Sequence, residues 1–244
     1  KAFLGNIGSN PNVAFQLAVG KFLNEGNPRY TGLPSPEDLD KANYDLVYEK
    51  YKERFANAGD FNFYFVGNID ENKIGELAET YIASLPDNGK RDQYKAPTFR
   101  PKTGNHELIV KKGTEPQSQV RLSWSGETTY DANEARAFDA VGEALSIKLI
   151  EKLREEEGGV YGAGARGFIN KIPYGSYNFS ISFPCAPENV DKLIATSIAE
   201  VEKIIENGPT DEDLDKVKKA KLLSRKDQLE QNRFWLSVMK MKGI

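Results

Sequence analysis

One long helix in the middle of the chain constrains the fold more than any other sequence feature. Residues 131–157, DANEARAFDAVGEALSIKLIEKLREEE, carry apolar side chains almost all round the predicted helix in its middle turns. A helix that is apolar on every side belongs in a protein core, because it has no polar face to give to solvent. The rest of the chain must therefore supply layers that enclose this helix.

Predicted strands on both sides of the helix can supply such a layer. HELIVKK (106–112) and SQVRLSWSG (118–126) precede it, and VYGAGARGFI (160–169) and SYNFSISFPC (176–185) follow it. In the last of these, apolar residues alternate with Ser and Asn, which is typical of a strand with one buried face. A further aromatic segment, FNFYFVG (61–67), predicts a strand buried on both faces.

Five more helices are predicted from apolar periodicity and capping residues, over residues 12–26, 35–55, 71–84, 187–207 and 211–241. Asp70 is placed to cap one of them, and Thr210 with Asp213 resembles a capping box for the last. Strands and helices are mixed without strict βα alternation. We therefore predict an α+β fold, in which helices pack on one face of a mixed, largely antiparallel sheet.

The length allows one large domain or two small ones. The chain has 244 residues, of which 39% are hydrophobic and 28% charged, enough to bury a sizeable core. Residues 86–105 hold three prolines and two glycines with little apolar content, which indicates an internal connector. We predict a single domain over residues 1–244, with a first segment (1–85), this connector, and a main part of sheet and helices (106–244).

Several classes of protein are excluded by charge and hydropathy. A net charge of -3 leaves no basic excess to neutralise nucleic-acid phosphates. No apolar run approaches ~18 residues, so no membrane span is predicted. One cysteine rules out a disulfide within the chain. The chain begins at Lys1 without an initiator Met or a signal pattern, so we expect a leader or an upstream domain to lie outside it.

Few residues are available for metal or nucleophile chemistry. His106 is the single histidine, whereas the zinc motifs H-E-x-x-H and H-x-x-E-H need two histidines on one helical face. We therefore expect this chain to bind no catalytic zinc. Cys185 is either a small half-buried thiol or a nucleophile that would have to meet His106. We interpret the glycines of GAGARG (162–167) as sites of close backbone approach, not as a phosphate loop.

The stretch LREEEGGVYG, residues 153–162, is the best candidate for chemistry. Arg154 lies in the last turn of the predicted helix, and the glycine pair can end that helix before Tyr161 begins a strand. Such a reversal brings Arg154 and Tyr161 to one rim, where their N–H and O–H donors can hold peptide carbonyls and stabilise an oxyanion. In the structural alternative, Arg154 interacts with the helix dipole or with Glu157, and Tyr161 only packs.

The same stretch, LREEEGGVYGAGA, resembles the R-x6-Y element of the pitrilysin/insulinase family of inverted-motif zinc metallopeptidases. Other segments are similar to that family in order and spacing, namely YKERFANAGDFNFYFVGNIDENKIGELAETYIASLP, PQSQVRLSW and PENVDKLIATSIAEVEKIIENGPTDEDLDKVKKAKL. The likeness covers about residues 36–240. It extends to bacterial periplasmic members of the PqqL-like type.

The resemblance implies a half-clamshell domain, ferredoxin-like in character, that closes with homologous domains around a chamber. In that family the zinc ligands lie on H-x-x-E-H and a downstream Glu of the first domain. An Arg and a Tyr of the last domain hold the substrate backbone and polarise its scissile carbonyl. By position these roles fall on Arg154 and Tyr161. The chain has no H-x-x-E-H, so it resembles a C-terminal domain whose partners are an N-terminal zinc-bearing domain and an extended peptide.

Two hypotheses follow for function. In the first, the chain is the substrate-binding domain of an active zinc metalloendopeptidase, and the fragment alone is inactive. In the second, it is a non-catalytic structural or peptide-binding half of an inactive family member. The presence of both Arg154 and Tyr161 at the family spacing favours the first. A periplasmic or secreted location is implied by the family alone.

Overall fold

The computed structural model describes residues 2–156, 160 and 162–243. The chain divides into two compact units, unit 1 with residues 1–39 and 96–219 and unit 2 with residues 40–95 and 220–244. In chain order the helices and strands are α1 (Ala2–Ile7), α2 (Pro11–Leu23), α3 (Pro36–Asp40), α4 (Tyr44–Phe55), α5 (Glu71–Tyr81), β1 (Ser118–Glu127), α6 (Ala132–Leu149), β2 (Gly164–Asn170), β3 (Ser176–Cys185), α7 (Val190–Asn207), α8 (Asp211–Leu229) and α9 (Asn232–Lys242).

A three-stranded antiparallel sheet forms the centre of unit 1. Its strand order is β1-β3-β2, so the last strand in sequence lies in the middle. Val120 lies opposite Phe183, and Ile181 lies opposite both Leu122 and Ala165. Because these neighbours share one face of the pleat, their apolar side chains meet in a single layer. The predicted antiparallel sheet is confirmed for β1, β2 and β3.

The core of unit 1 lies between this apolar layer and the helices α6 and α7. Its fully buried large apolar side chains come from both helices, from β3 and from the residues that follow α6, and they are Leu145, Leu149, Leu153, Ile181, Phe183 and Leu193. The α+β fold with helices on one face of the sheet is therefore confirmed. The deep burial predicted for the long helix is found in the C-terminal half of α6.

Close backbone contact fixes α6 against β2. A Cβ atom added to Gly142 would lie 2.9 Å from the backbone nitrogen of Gly167, so only glycine fits at this point of the helix. One turn later, the Ser146 hydroxyl oxygen accepts a hydrogen bond from the Ala165 amide at 2.8 Å and lies 3.0 Å from the Ala165 carbonyl oxygen. For Gly167, the interpretation as a site of close approach is confirmed. For Gly162 and Gly164 it is wrong, because a Cβ added to either would have no atom within 4 Å.

Unit 2 contains α4, α5 and α9. Asn43 caps α4 by accepting a hydrogen bond from the Leu46 amide at 3.0 Å. Asp70 caps α5, as predicted, because its Oδ1 accepts from the amides of Asn72 and Lys73 at 3.0 and 3.1 Å. Side-chain acceptors at these positions satisfy the amides that a helix start leaves without an intrahelical partner.

Two predicted strands are not formed. Residues 61–67 and 106–112 have no regular secondary structure, because no described strand offers them a hydrogen-bonding partner. The predicted burial of residues 61–67 on both faces is wrong too, because Phe61, Phe63 and Phe65 are exposed and Tyr64 and Val66 are only half-buried.

Two predicted helices are each divided. The helix predicted over 35–55 breaks before Asn43, whose side chain caps α4 and not the middle of a longer helix. The helix predicted over 211–241 ends at Leu229, and α9 begins at Asn232. At the first break the Asn43 side chain competes for the helix-start amides and caps α4. At the second break Gln231 has non-helical backbone but makes no side-chain capping hydrogen bond.

Candidate functional site

The helical segment that carries Arg154 directly continues α6. Residues Ile150–Glu156 form a π-helical segment, which is wider than an α-helix and is found in many proteins at functional sites. Within it, Leu153 is fully buried in the core of unit 1, and the next residue, Arg154, is exposed. The buried leucine anchors the turn from which the guanidinium projects into solvent.

The path of the chain returns to the same core just after this segment. Helix α6 runs antiparallel to β2, since Gly142 contacts Gly167 and, later in the helix, Ser146 contacts Ala165. The end of the helix therefore lies at the end of the sheet where β2 begins. Val160, four residues before β2, is buried in the same apolar cluster as Leu153.

Of the predicted pair, the structure places Arg154. Tyr161 lies outside the described residues. The side chain of Arg154 is exposed at the rim formed by the end of the π-helical segment and the start of β2. A guanidinium in this position has donors available to a ligand, because an arginine carries five N–H groups in a planar fork.

An ion-pair cluster holds the helix end that carries Arg154. Nζ of Lys148, at the end of α6, lies 3.0 Å from Oε2 of Glu151 and 3.2 Å from Oδ2 of Asp213, at the start of α8. The Asp213 amide donates to the Thr210 hydroxyl at 3.2 Å, and that hydroxyl donates to Oδ2 of Asp213. The predicted capping by Thr210 is confirmed, and the same carboxylate also binds α6.

The cluster shifts the pKa values of Asp213 and Lys148 in opposite directions. Burial alone would raise the pKa of the Asp213 carboxyl, but hydrogen bonds from Thr210 and Lys148 outweigh it and leave that pKa below its ordinary value. The hydrogen bond to Glu151, and after it the one to Asp213, raise the pKa of Lys148 despite partial desolvation. Both groups therefore stay charged over the whole neutral range.

Lys148 is the residue that sequence analysis missed. The pair of Thr210 and Asp213 was readable, because a hydroxyl and an acid three residues apart form a local capping motif. The contact between Lys148 and Asp213 joins residues far apart in sequence, and no local spacing marks it. A lysine in the last turn of a long helix signals only a favourable dipole interaction.

His106 and Cys185, the other candidate side chains, make contacts typical of residues with a structural role. Nε2 of His106 lies 2.9 Å from the Thr103 carbonyl oxygen, and its ring meets the edge of Phe22 at a centroid distance of 5.9 Å. Cys185 is buried, and burial raises the pKa of its thiol. A raised pKa disfavours the reactive thiolate, which supports the interpretation of Cys185 as a packed thiol.

The described residues do not fit a zinc ion. Within residues 2–156, 160 and 162–243, no group of three or more His, Cys, Asp and Glu side chains is arranged to hold a metal. Catalytic zinc needs three protein ligands.

Across the same part of the chain, no helix combines the length and the apolar character that a membrane crossing requires.

The family is decided by a match over most of the chain. Residues 41–221 match the family model described as the peptidase M16 inactive domain. The chain belongs to this family. The predicted membership of the pitrilysin/insulinase group, as a C-terminal domain, is thereby confirmed.

Two curated relatives of this M16 domain are named as zinc proteases. A zinc protease PQQL-like protein of Arabidopsis thaliana is 25% identical over 241 residues, which cover 93% of this chain and 25% of the relative. A probable zinc protease PqqL of Haemophilus influenzae is 26% identical over 170 residues, covering 70% of this chain and 18% of the relative. The chain thus spans a quarter or less of the length of these relatives.

Solved structures share the fold of the M16 domain. The periplasmic protease PqqL from Escherichia coli superposes with a TM-score of 0.76 at 20% identity, over 97% of this chain and 26% of that chain. A conserved protein from Enterococcus faecalis gives a TM-score of 0.73 at 15% identity, over 99% of this chain and 56% of that one. At these identities the likeness establishes the fold.

Proposed function

We propose that this chain is the C-terminal, substrate-binding domain of a zinc metalloendopeptidase that degrades peptides in an enclosed chamber. The observation that carries the proposal is the exposed guanidinium of Arg154, which follows the fully buried Leu153 at the rim where β2 begins. The buried leucine fixes the backbone from which this side chain reaches the substrate. A donor aimed at the position where negative charge develops stabilises the transition state.

The chemistry assigned to Arg154 is substrate positioning and charge stabilisation. Its N–H groups bind carbonyl oxygens of an extended peptide, and they stabilise the negative charge that develops on the scissile carbonyl. Tyr161, which follows seven residues later in sequence, is assigned a second donor role by its resemblance to the family's Tyr. Neither role requires a metal ligand from this chain.

Zinc is assigned to a domain outside this chain. The described residues do not fit the ion, and two relatives that are named zinc proteases are at least four times as long as the part they share with this chain. An N-terminal zinc-bearing domain of the same protein is therefore the proposed partner. The periplasmic location of the protease PqqL from Escherichia coli supports a periplasmic location for the parent protein.

The test uses the protein in which this chain is joined to its zinc-bearing domain. We expect Arg154→Ala and Tyr161→Phe each to lower kcat/KM for peptide hydrolysis by roughly 10²-fold or more, with unchanged zinc content. Arg154→Lys keeps the charge but loses the planar fork, so an intermediate loss is expected. The matched control is Arg136→Ala, since Arg136 is exposed on the same helix near its other end. Full activity of the Arg154→Ala protein would overturn the proposal.

The alternative function is a non-catalytic structural or peptide-binding half. It is favoured by the description of the family as an inactive domain, since a domain without zinc ligands can serve as a scaffold. Under this alternative, the Arg154→Ala and Tyr161→Phe proteins hydrolyse peptides at the rate of the parent, or the parent hydrolyses none. A parent protein that binds zinc and cleaves peptides only while Arg154 is present excludes it.

A further inference from the structure

The sheet of unit 1 has a polar face opposite the face that packs on α6 and α7. Strand residues alternate between the two faces, and the buried ones belong to the core. The opposite face also carries the exposed Phe168 of β2. Its exposed or half-buried polar side chains come from all three strands, namely Arg121, Ser123 and Ser125 of β1, Asn178, Ser180 and Ser182 of β3, and Arg166 of β2.

The register places two arginines on either side of a serine pair. Arg121 of β1 lies opposite Ser182, and Arg166 of β2 lies opposite Ser180. Since β3 separates the two outer strands and the two rows are two residues apart, the arginine Cα atoms lie about 12 Å from each other by ordinary strand spacings. Two side chains as long as arginine can therefore reach one ligand lying over the serines.

The charge of its two arginines decides which ligands this face attracts. Nε of Arg121 donates to the Ser123 hydroxyl at 3.3 Å, which uses one of its five donors. Among the described residues, no carboxylate forms an ion pair with Arg121 or Arg166. Glu127, at the far end of β1, is 2.6 Å from Nε of Arg100 and is already paired. In a chain with a net charge of -3, this face attracts acidic ligands.

We propose that this face, defined by Arg121, Arg166, Ser180 and Ser182, binds an acidic segment of an extended peptide. Alternate side chains of an extended peptide point to one side, about 7 Å apart, so two carboxylates at i and i+2 can pair with the two guanidiniums. The serine hydroxyls can bond the peptide backbone between them. This inference rests on the proposed function, in which the domain holds extended peptide, and it adds a preference for acidic sequence.

A cavity continues the polar face at one end. Its volume is about 340 Å³, and Asn178 and Ser125 of the sheet form part of its lining together with Phe99, Pro101 and Tyr174. The guanidinium carbon of Arg100 lies 3.7 Å from the centre of the Tyr174 ring, which fixes that wall. An acidic segment lying along β3 from Ser182 would place its next side chain in this cavity.

Binding to the 244-residue chain itself tests the proposal. The probes are dye-labelled, end-capped hexapeptides of alternating threonine and glutamate, with glutamine and lysine counterparts, followed by fluorescence anisotropy. We expect the glutamate peptide to bind about tenfold more tightly than the glutamine peptide and to lose this advantage at roughly 0.5 M salt. Arg121→Gln and Arg166→Gln should each weaken its binding roughly two- to fivefold, as for exposed ion pairs.

The matched control removes a positive charge elsewhere in unit 1. Arg136→Gln alters an exposed arginine that donates to Asn133 at 2.5 Å. Because this arginine belongs to α6, which packs on the opposite face of the sheet, its replacement should leave peptide binding unchanged. Arg121→Lys should retain most of the affinity, which separates loss of charge from loss of folding. Circular dichroism of each variant establishes that the sheet is intact.

The proposal is overturned if the glutamate and glutamine peptides bind with equal affinity, or if Arg136→Gln and Arg121→Gln weaken binding of the glutamate peptide equally. It is also overturned if inorganic phosphate displaces the glutamate peptide when both ligands supply the same concentration of negative charge. None of them bears on hydrolysis. If Arg154→Ala leaves hydrolysis intact while the acidic peptide still binds here, the proposed function fails and this inference survives as peptide binding by a scaffold.

Discussion

Nζ of Lys148 lies 3.2 Å from Oδ2 of Asp213, and this ion pair joins the end of α6 to the start of α8. The aspartate is almost completely buried, whereas the lysine side chain keeps 29% of its exposure. The pair therefore has one partner that cannot recover its hydration if the other is removed. Because Arg154 follows Lys148 by six residues along the same helical path, the pair also restrains the support of the candidate site.

Removing the lysine should destabilise unit 1. We expect Lys148→Met to lower the free energy of unfolding by about 1–3 kcal/mol, since Asp213 is left buried without its counter-charge. The measurement is urea unfolding in a Trp235→Phe background, in which Trp124, near Phe179 in the core of unit 1, is the remaining tryptophan. A double-mutant cycle with Asp213→Asn should give a coupling of roughly 0.5–3 kcal/mol. Strictly additive effects would contradict a direct pair.

The same carboxylate should make the stability of unit 1 depend on acid. The pKa of Asp213 is lowered in the folded protein from an ordinary value of 3.8, so the folded state holds its proton less tightly than the unfolded state. Its contribution is therefore fully present above the unfolded pKa and is lost as the pH falls through the folded pKa. The difference in unfolding free energy between the parent and Asp213→Asn should be constant from about pH 5 to 8 and shrink below about pH 4. A difference that grows on acidification would reverse the sign and disprove the assignment.

Glycine at position 142 should resist replacement even though it lies inside a helix. An alanine Cβ there would lie 2.9 Å from the Gly167 nitrogen and 3.1 Å from the Arg166 Cα, both of which are backbone atoms that cannot move aside alone. We expect Gly142→Ala to destabilise unit 1 by about 1–3 kcal/mol, because overpacking outweighs the better helix propensity of alanine.

A glycine in open space gives the matched control. Gly75 of α5 has no atom within 4 Å of an added Cβ, so Gly75→Ala should stabilise unit 2 by up to about 1 kcal/mol. Urea unfolding in a Trp124→Phe background follows unit 2 through Trp235. Two glycine replacements with the same sign would contradict the contact between α6 and β2.

The apolar core should depend strongly on α6. Leu149 is fully buried, so Leu149→Ala is expected to cost about 2–5 kcal/mol through lost burial and the cavity that remains. Ile205 of α7, which is 77% exposed, provides the control, and Ile205→Ala should change the unfolding free energy by less than about 0.5 kcal/mol. Thermal and urea unfolding of both variants measure these values. A loss for Leu149→Ala as small as that for Ile205→Ala would place α6 outside the core.

Local chemistry explains which parts of the fold could be predicted from sequence. Asp70 and Thr210 each accept hydrogen bonds from helix-start amides within three residues, so their capping roles can be predicted from the adjacent sequence. The alternation in β3 likewise reports its single buried face. The aromatic residues of 61–67 also favour a strand, but a strand needs a neighbour to bond with. The sequence of one segment does not contain that neighbour.

The candidate site was predictable to the extent that it is local. Arg154 was singled out from its place at the end of a helix, and in the structure it is exposed and directly follows a buried leucine. Lys148 and the facing arginines of the sheet were not readable, since their partners lie tens of residues away and meet only through the register of strands and helices.

The division of labour between Leu153 and Arg154 has an evolutionary consequence. The leucine is enclosed by the core, whereas its neighbour is solvent-facing, so natural selection can alter the second without disturbing the first. Under the proposed function, a single codon change at Arg154 would leave a protein that folds but has lost most of its peptide hydrolysis. Proteins with this fold can thus lose catalytic activity during evolution long before they lose the fold itself.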